Sequence, residues 1–198
     1  MREFATSLHD MLSAADVPKV ARQWADGDRA PGLALWRRLA DLGVTALAVP
    51  EKWGGLGADP ADIVAACVEL GHHALPGPVA ESLAAVPALL AALADGDSRG
   101  GWPGDAGSSG EWLAGLAAGD LIGTLAMPPR LPFAADADAA GLVLRADGGV
   151  VCLARPGTRN RSVDPARAPR DDPAPRTRRP GPAGSRRARP ISPAPRAR

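Results

Sequence analysis

A compositional break at residue 168 constrains this chain more than any other feature. Of the 31 residues from Ala168 to Arg198, nine are Arg, eight Pro, six Ala and two Gly, and Ile191 is the one large aliphatic side chain. Ordering a backbone costs about 1–2 kcal/mol per residue, and a segment with so little apolar surface has nothing to set against that cost. Residues 168–198 are therefore expected to form a disordered tail, and the fold must be built upstream of them. Charge divides at the same place. The net charge of +1 conceals seven surplus positive charges in the tail, against 14 basic and 20 acidic groups in residues 1–167.

An Arg-rich arm can neutralise phosphates and release counterions, which gives the tail one functional reading. No aromatic residue interleaves its arginines to stack on bases, however. Gly, Ala, Arg and Pro also share codons written in G and C alone, so a slipped reading frame accounts for the same mixture. The tail is read as a product of truncation or frameshift, and nucleic acid is not the expected partner.

Other classes fall away on length and residue type. The longest apolar stretch, Val86 to Ala94, is far short of the roughly 20 residues that cross a bilayer. Met1-Arg2-Glu3-Phe4 does not begin a secretory signal, so the expectation is a cytoplasmic protein without a membrane partner. Cys67 and Cys152 cannot make a disulfide framework. His9, His72 and His73, with no CxxC, offer no zinc site of usual spacing, and no metal is expected.

Residues 1–118 read as a bundle of about five helices. Phe4, Leu8, Met11 and Leu12 keep helical spacing, as do Leu35, Leu39 and Leu42, after which Gly43 supplies a C-terminal cap. Asp59 and Pro60 open a helix carrying Ile63, Ala66, Cys67 and Leu70, with Gly71 as its stop; Cys67 there reads as a small core residue, not a nucleophile. A further segment runs from Pro78 to Ala94 with a kink expected at Pro87, and Ser108-Ser109-Gly110-Glu111 has the spacing of a capping box. The run Val44 to Val49 is compatible with an extended segment, followed by a loop through Gly54-Gly55-Leu56-Gly57. After Gly119 the pattern changes: Leu121 to Met127, Leu142 to Leu144 and Val150 to Leu153 read as short strands, the last following a Gly148-Gly149 turn.

Residue types alone yield little chemistry. There is no phosphate-binding GxxxxGK[ST], and the Gly54–Gly57 loop lacks the spacing of a dinucleotide fingerprint. His72 and His73 follow a helix-ending glycine and read as a solvated turn. Glu69 and Glu81 read as helix-face carboxylates, and Trp24, Trp36, Trp53 and Trp112 as packing anchors.

Order and spacing together carry a resemblance. Leu35-Trp36-Arg37-Arg38-Leu39-Ala40-Asp41-Leu42-Gly43-Val44, then Leu47-Ala48-Val49-Pro50-Glu51 with the Gly54–Gly57 loop, then Val68-Glu69-Leu70-Gly71, is similar to the N-terminal helical domain of the acyl-CoA dehydrogenase family. Glu81-Ser82 within Pro78 to Leu93, and Leu113 to Asp120, continue it in order. Ser162 to Arg167 more loosely resembles an element of the family's middle β-domain.

The resemblance implies a mainly α fold: an N-terminal helical bundle of acyl-CoA dehydrogenase type over residues 1–118, a few strands of an incomplete β-domain over 119–167, and the tail over 168–198. It implies FAD as the family's cofactor and an acyl-CoA thioester as its substrate, dehydrogenated across the α,β bond by a flavin and a glutamate of a C-terminal domain. By the same likeness Val79, Ala80, Glu81 and Leu83 would line the acyl chain, and Leu125 and Met127 would offer backbone to the flavin.

The family's flavin-facing strand end reads Thr-Glu-Pro followed by a Gly-Ser-Asp turn, whereas here Leu125-Ala126-Met127 runs into Pro128-Pro129-Arg130-Leu131-Pro132. Pro128, at the threonine's place, has neither a side-chain hydroxyl nor an N–H. The expected protein is accordingly an acyl-CoA dehydrogenase-like oxidoreductase by family, truncated, with no catalytic residue of its own, inactive alone and not retaining FAD alone. The alternatives are a non-catalytic subunit in a homo- or hetero-oligomer with another acyl-CoA dehydrogenase subunit, and nucleic-acid binding through the tail.

Overall fold

A computed structural model describes residues 2–96, 108–158 and 160. The tail, the Ser162–Arg167 element and much of the glycine-rich stretch after Asp95 lie outside the described residues. Among the described residues, six α-helices precede a three-stranded sheet.

Helix α1 (Arg2–Ser13) buries Leu8 and Leu12, with Phe4 and Met11 at the flank of the same face, so its i, i+4, i+8 pattern is a core stripe. Helix α2 (Val17–Ala25) buries Val17, Val20 and Trp24 at i, i+3 and i+7 and is the sixth helix that the count of five omits. Helix α3 (Ala30–Asp41) buries Leu35, Trp36 and Leu39; Gly43 follows at φ 77°, the left-handed value a glycine cap supplies, although Leu42 points outward. Helix α4 (Pro60–His72) starts after an extended Asp59 with Pro60 in its first turn and runs through Gly71, which does not stop it.

Val44 to Val49 is not extended. Val44–Ala46 forms a 3₁₀ turn, and the glycine loop folds back to pair with this segment: Leu56, Gly57 and Ala58 donate their N–H groups to the carbonyls of Ala46, Val49 and Leu47 at 2.8–2.9 Å. At Gly55 a Cβ would sit 1.9 Å from the Val49 carbonyl oxygen, so that glycine serves close backbone approach.

Pro87 does not break its helix. The turn before it widens to π geometry over Glu81–Ala85, and regular helix α5 continues over Val86–Gly96. A proline inside a helix removes one N–H and crowds the carbonyl four residues back, here that of Leu83, and a wide turn at that point relieves both. Helix α6 (Ser109–Ala117) carries the full capping box, the Ser108 hydroxyl accepting from Glu111 N–H at 3.1 Å and the Glu111 carboxylate from Ser108 N–H at 2.5 Å.

Strands β1 (Gly123–Ala126), β2 (Leu142–Asp147) and β3 (Val150–Leu153) lie in that order, β1–β2 parallel and β2–β3 antiparallel through the positive-φ pair Gly148-Gly149. One core packs α1–α4 around Leu8, Leu12, Trp36, Leu39 and Leu70. A second joins α5 and α6 to the inner sheet face through Leu90, Leu113, Leu116, Leu125, Leu142 and Leu144. The outer face carries smaller residues, Ala126 and Val143, under Ala134 and Ala137 of the β1–β2 connection. Among the described residues no helix is long and apolar enough to cross a membrane.

Candidate functional site

The wide turn and the first strand meet. Gly123 N–H donates to the buried Ser82 hydroxyl at 3.1 Å, and a Cβ on Gly123 would lie 3.0 Å from a Val86 methyl, which would have to give way by a few tenths of an ångström. The elements that carry the two groups of expected site residues therefore meet: Val79, Ala80, Glu81 and Leu83 lie in or just before the wide turn, Leu125 and Met127 in or just after β1. They are not equally placed. Leu83 is buried in the helical core and Val79 packs against it, Glu81 is half-buried, and Ala80 is exposed. Ser82, absent from the expected site residues, makes the joint; its position beside Glu81 in the family-like segment is the only signal the sequence gives.

Strand β1 offers a free-running edge for part of its length. Leu142 N–H donates to the Ile122 carbonyl, and the alternation of a parallel ladder then turns Thr124 and Ala126 toward β2 and the backbone of Gly123 and Leu125 to the outer edge. The Leu125 side chain is buried against α5 and α6. One step on, the edge is occupied: Met127 N–H donates to the Leu131 carbonyl at 2.6 Å, and Leu131 N–H to the Met127 carbonyl at 2.8 Å. The Met127 side chain is exposed. Pro128 and Pro129, joined by a cis peptide bond, fill the turn between these partners.

The connection after this turn is anchored by polar groups. Thr124 hydroxyl donates to the Ala135 carbonyl at 2.7 Å, and Trp24 Nε1–H donates to Asp136 Oδ1 at 3.1 Å. Arg29 lies over the Trp24 ring, donates to the Trp24 carbonyl at 2.7 Å and to Asp138 Oδ2 at 3.2 Å, and stands 4.0 Å from Asp136 Oδ1. Asp136 is fully buried at φ 44°, a left-handed conformation that Asp tolerates better than most residues. These are support contacts, and a sequence without the three-dimensional pairing gives no sign of them.

The remaining candidates separate. Trp24, Trp36 and Trp112 are buried anchors, Trp36 donating its indole N–H to the Pro76 carbonyl at 3.0 Å; Trp53 is half-buried under Lys52. Cys67 is half-buried, and burial pushes its thiol pKa up, which suits a packing residue. The histidines correct the sequence reading. His72 and His73 are not a simple solvated turn, because His9 of α1 joins them and Glu69 stands between the rings. Sequence spacing missed this group because it draws on helices some 60 positions apart.

The family profile described as "Acyl-CoA dehydrogenase, N-terminal domain" matches residues 2–95. Acyl-CoA dehydrogenase IpdE2 of Mycobacterium tuberculosis is 32% identical over 133 residues, covering 67% of this chain and 37% of the relative. The chain belongs to the acyl-CoA dehydrogenase family. Solved structures agree in fold. A variant of the Tcur3481-Tcur3483 steroid ACAD superposes with TM-score 0.62 at 17% identity over 88% of this chain and 54% of that one. The ChsE4-ChsE5 complex of Mycobacterium tuberculosis gives 0.56 at 21% identity over 88% and 54%. This acyl-CoA dehydrogenase-like chain thus spans about a third of the curated relative and about half of the solved neighbours.

The residues at the β1 end do not fit FAD. A flavin is held by donors aimed at its ring edge and by groups that reach its pyrophosphate. Here Met127 has both backbone groups committed to Leu131, Pro128 has no donor, and from Leu125 to Ala140 no side chain carries a hydroxyl. Leu125 alone of the two expected residues keeps its backbone on the outer edge without a partner strand among the described residues.

Proposed function

We propose that this chain serves an acyl-CoA dehydrogenase assembly as a non-catalytic wall. The segment leading into α5, with Val79, Ala80, Glu81 and Leu83, borders an acyl-CoA chain, and flavin and general base come from another subunit. Residues 1–118 act as the helical part of this wall and 119–167 as its β part. The observation that carries the reading is the Met127–Leu131 pairing, which closes the strand end where a flavin would need open donors. Two solved neighbours named for paired components, the Tcur3481-Tcur3483 steroid ACAD and the ChsE4-ChsE5 complex, support a heteromeric arrangement. Only Leu125 keeps outward backbone toward a neighbouring flavin.

The test is spectral and hydrodynamic. The purified chain, incubated with excess FAD and desalted, is expected to show no flavin absorbance and no acyl-CoA turnover. Co-expressed with a flavin-binding acyl-CoA dehydrogenase subunit, the chain is expected to elute with that subunit as one flavin-containing species. Flavin retained by the chain alone would overturn the reading.

A further inference from the structure

The three histidines of the chain come together at one place. His9 projects from the middle of α1, and His72 and His73 stand at the end of α4, the two helices that pack side by side in the first core. Their ligating nitrogens all lie within 4.8 Å of one another. His9 Nδ1 and His73 Nε2 are 3.2 Å apart, and Glu69 Oε1 lies 2.6 Å from the first and 3.2 Å from the second.

Those distances have a chemical meaning. A tetrahedral zinc with bonds of about 2.0–2.1 Å to nitrogen or oxygen holds its ligand atoms roughly 3.3 Å apart. The His9–His73 pair and the Glu69–His73 pair already have that separation. His72, on the exposed helix end, keeps a ring nitrogen within 4.8 Å of the other two imidazoles and so offers the third nitrogen donor. Two imidazoles aimed at each other across 3.2 Å can share one proton, but a cation between them satisfies both lone pairs at once. Glu69, three and four positions before the two histidines of α4, brings the single negative charge that offsets a divalent ion.

We propose that His9, His72 and His73, with Glu69, form a binding site for a divalent transition-metal ion, zinc foremost, that clips α1 to α4. Imidazole donors suit zinc, copper and nickel, whereas magnesium and calcium want oxygen ligands, so the site discriminates by donor type. The half-exposed His9 leaves one side open to solvent, so the ion enters without unfolding the helix pair. The site lies on the α1–α4 face, away from the α5–β1 junction, and does not rest on the function proposed above. Its consequence is structural: the metal ties the N-terminal helix to a helix some 60 residues later, adding to the apolar contacts of Leu8 and Leu70 and to the His9–Glu69 pair that already join the two.

The proposal is tested on the full chain dialysed against chelator and titrated calorimetrically with zinc sulfate, with cobalt(II) as a spectroscopic probe. One ion per chain with a Kd tighter than about 10 μM is expected, with visible d–d bands of tetrahedral cobalt and a Tm raised by roughly 5–10 °C at a hundredfold excess over Kd. H72A and H73A are each expected to weaken binding by at least about tenfold, and E69Q by about tenfold or more. His9→Gln, which keeps a polar side chain on α1, accompanies H9A in case the alanine variant folds poorly, and far-UV circular dichroism confirms the fold of each. Binding weaker than that threshold, or binding that substitutions at all four positions leave unchanged, overturns the site; so does magnesium competing on equal terms.

Discussion

The indole N–H of Trp24 donates to Oδ1 of Asp136 at 3.1 Å, joining α2 to the β1–β2 connection across 112 positions. Both side chains are fully buried, and Arg29 stacks over the indole while pairing with the same connection through Asp138. Removing the carboxylate leaves a buried N–H and part of a guanidinium without their partner, a loss with a larger cost than the bond itself contributes. Asp136→Ala is expected to destabilise the chain by about 3 kcal/mol. Asp136→Asn keeps an acceptor and tolerates the positive φ, so its cost is expected near 1 kcal/mol. Urea unfolding of the two variants measures both; equal losses would show that the lost negative charge beside Arg29, not the acceptor offered to the indole, decides.

A second relationship joins the candidate wall to the sheet. Ser82→Ala leaves the buried Gly123 N–H without its acceptor and is expected to cost about 1–2 kcal/mol. Gly123→Ala acts through crowding against Val86, at 3.0 Å, and is expected to cost about 1–3 kcal/mol. In the double variant the losses should fall short of their sum, because both loosen the same joint. Strict additivity in a double-mutant cycle would separate the two effects and remove the joint as a unit.

Much of this fold can be read locally, and what cannot be read depends on pairing at a distance. Leu8 and Leu12 or Leu35 and Leu39 announce their helices because a buried stripe repeats at helical spacing, and the Ser108–Glu111 box declares a helix start within four residues. The run Val44 to Val49 misleads. Its apolar residues suit a strand, but its backbone partners are the folded-back Leu56 to Ala58, and only the glycine loop's return makes a 3₁₀ turn the better solution. The wide turn at Glu81–Ala85 follows from Pro87, yet a kink answers the same steric problem, and packing against β1 selects between them. At the candidate site, Pro128 is visible in the sequence as a lost donor. Leu131 as the partner of Met127 is not, since it requires the turn to close. The histidine group needed the packing of α1 on α4 before three isolated residues became one cluster.

Cys67 gives a prediction about reactivity. Burial lifts its thiol above the ordinary value, so less thiolate is present at mildly alkaline pH than in the unfolded chain. In a Cys152→Ser background, iodoacetamide at about pH 8 is expected to label native Cys67 some tenfold or more slowly than the urea-unfolded chain. Labelling at the same rate in both states would mean that the helix face opens freely, and the packing role assigned to Cys67 would fall.

Glu69 contributes a pH dependence to the stability of the metal-free chain. The hydrogen bond from His9 holds its carboxyl below the ordinary 4.5, burial works in the opposite direction, and the charges of His9, His73 and His72 add to the lowering. A carboxyl whose folded value is depressed binds its proton more weakly in the native state. The stability it contributes is therefore complete above the unfolded value near 4.5 and is lost as the pH falls through the lower folded value. With chelator present, Glu69→Gln is expected to be less stable than the parent at about pH 5.5, and the gap should close progressively below pH 4.5. Paired urea titrations across that interval decide the sign: a gap that grows as the solution is acidified would place the carboxyl's folded value above its unfolded one and reverse the assignment.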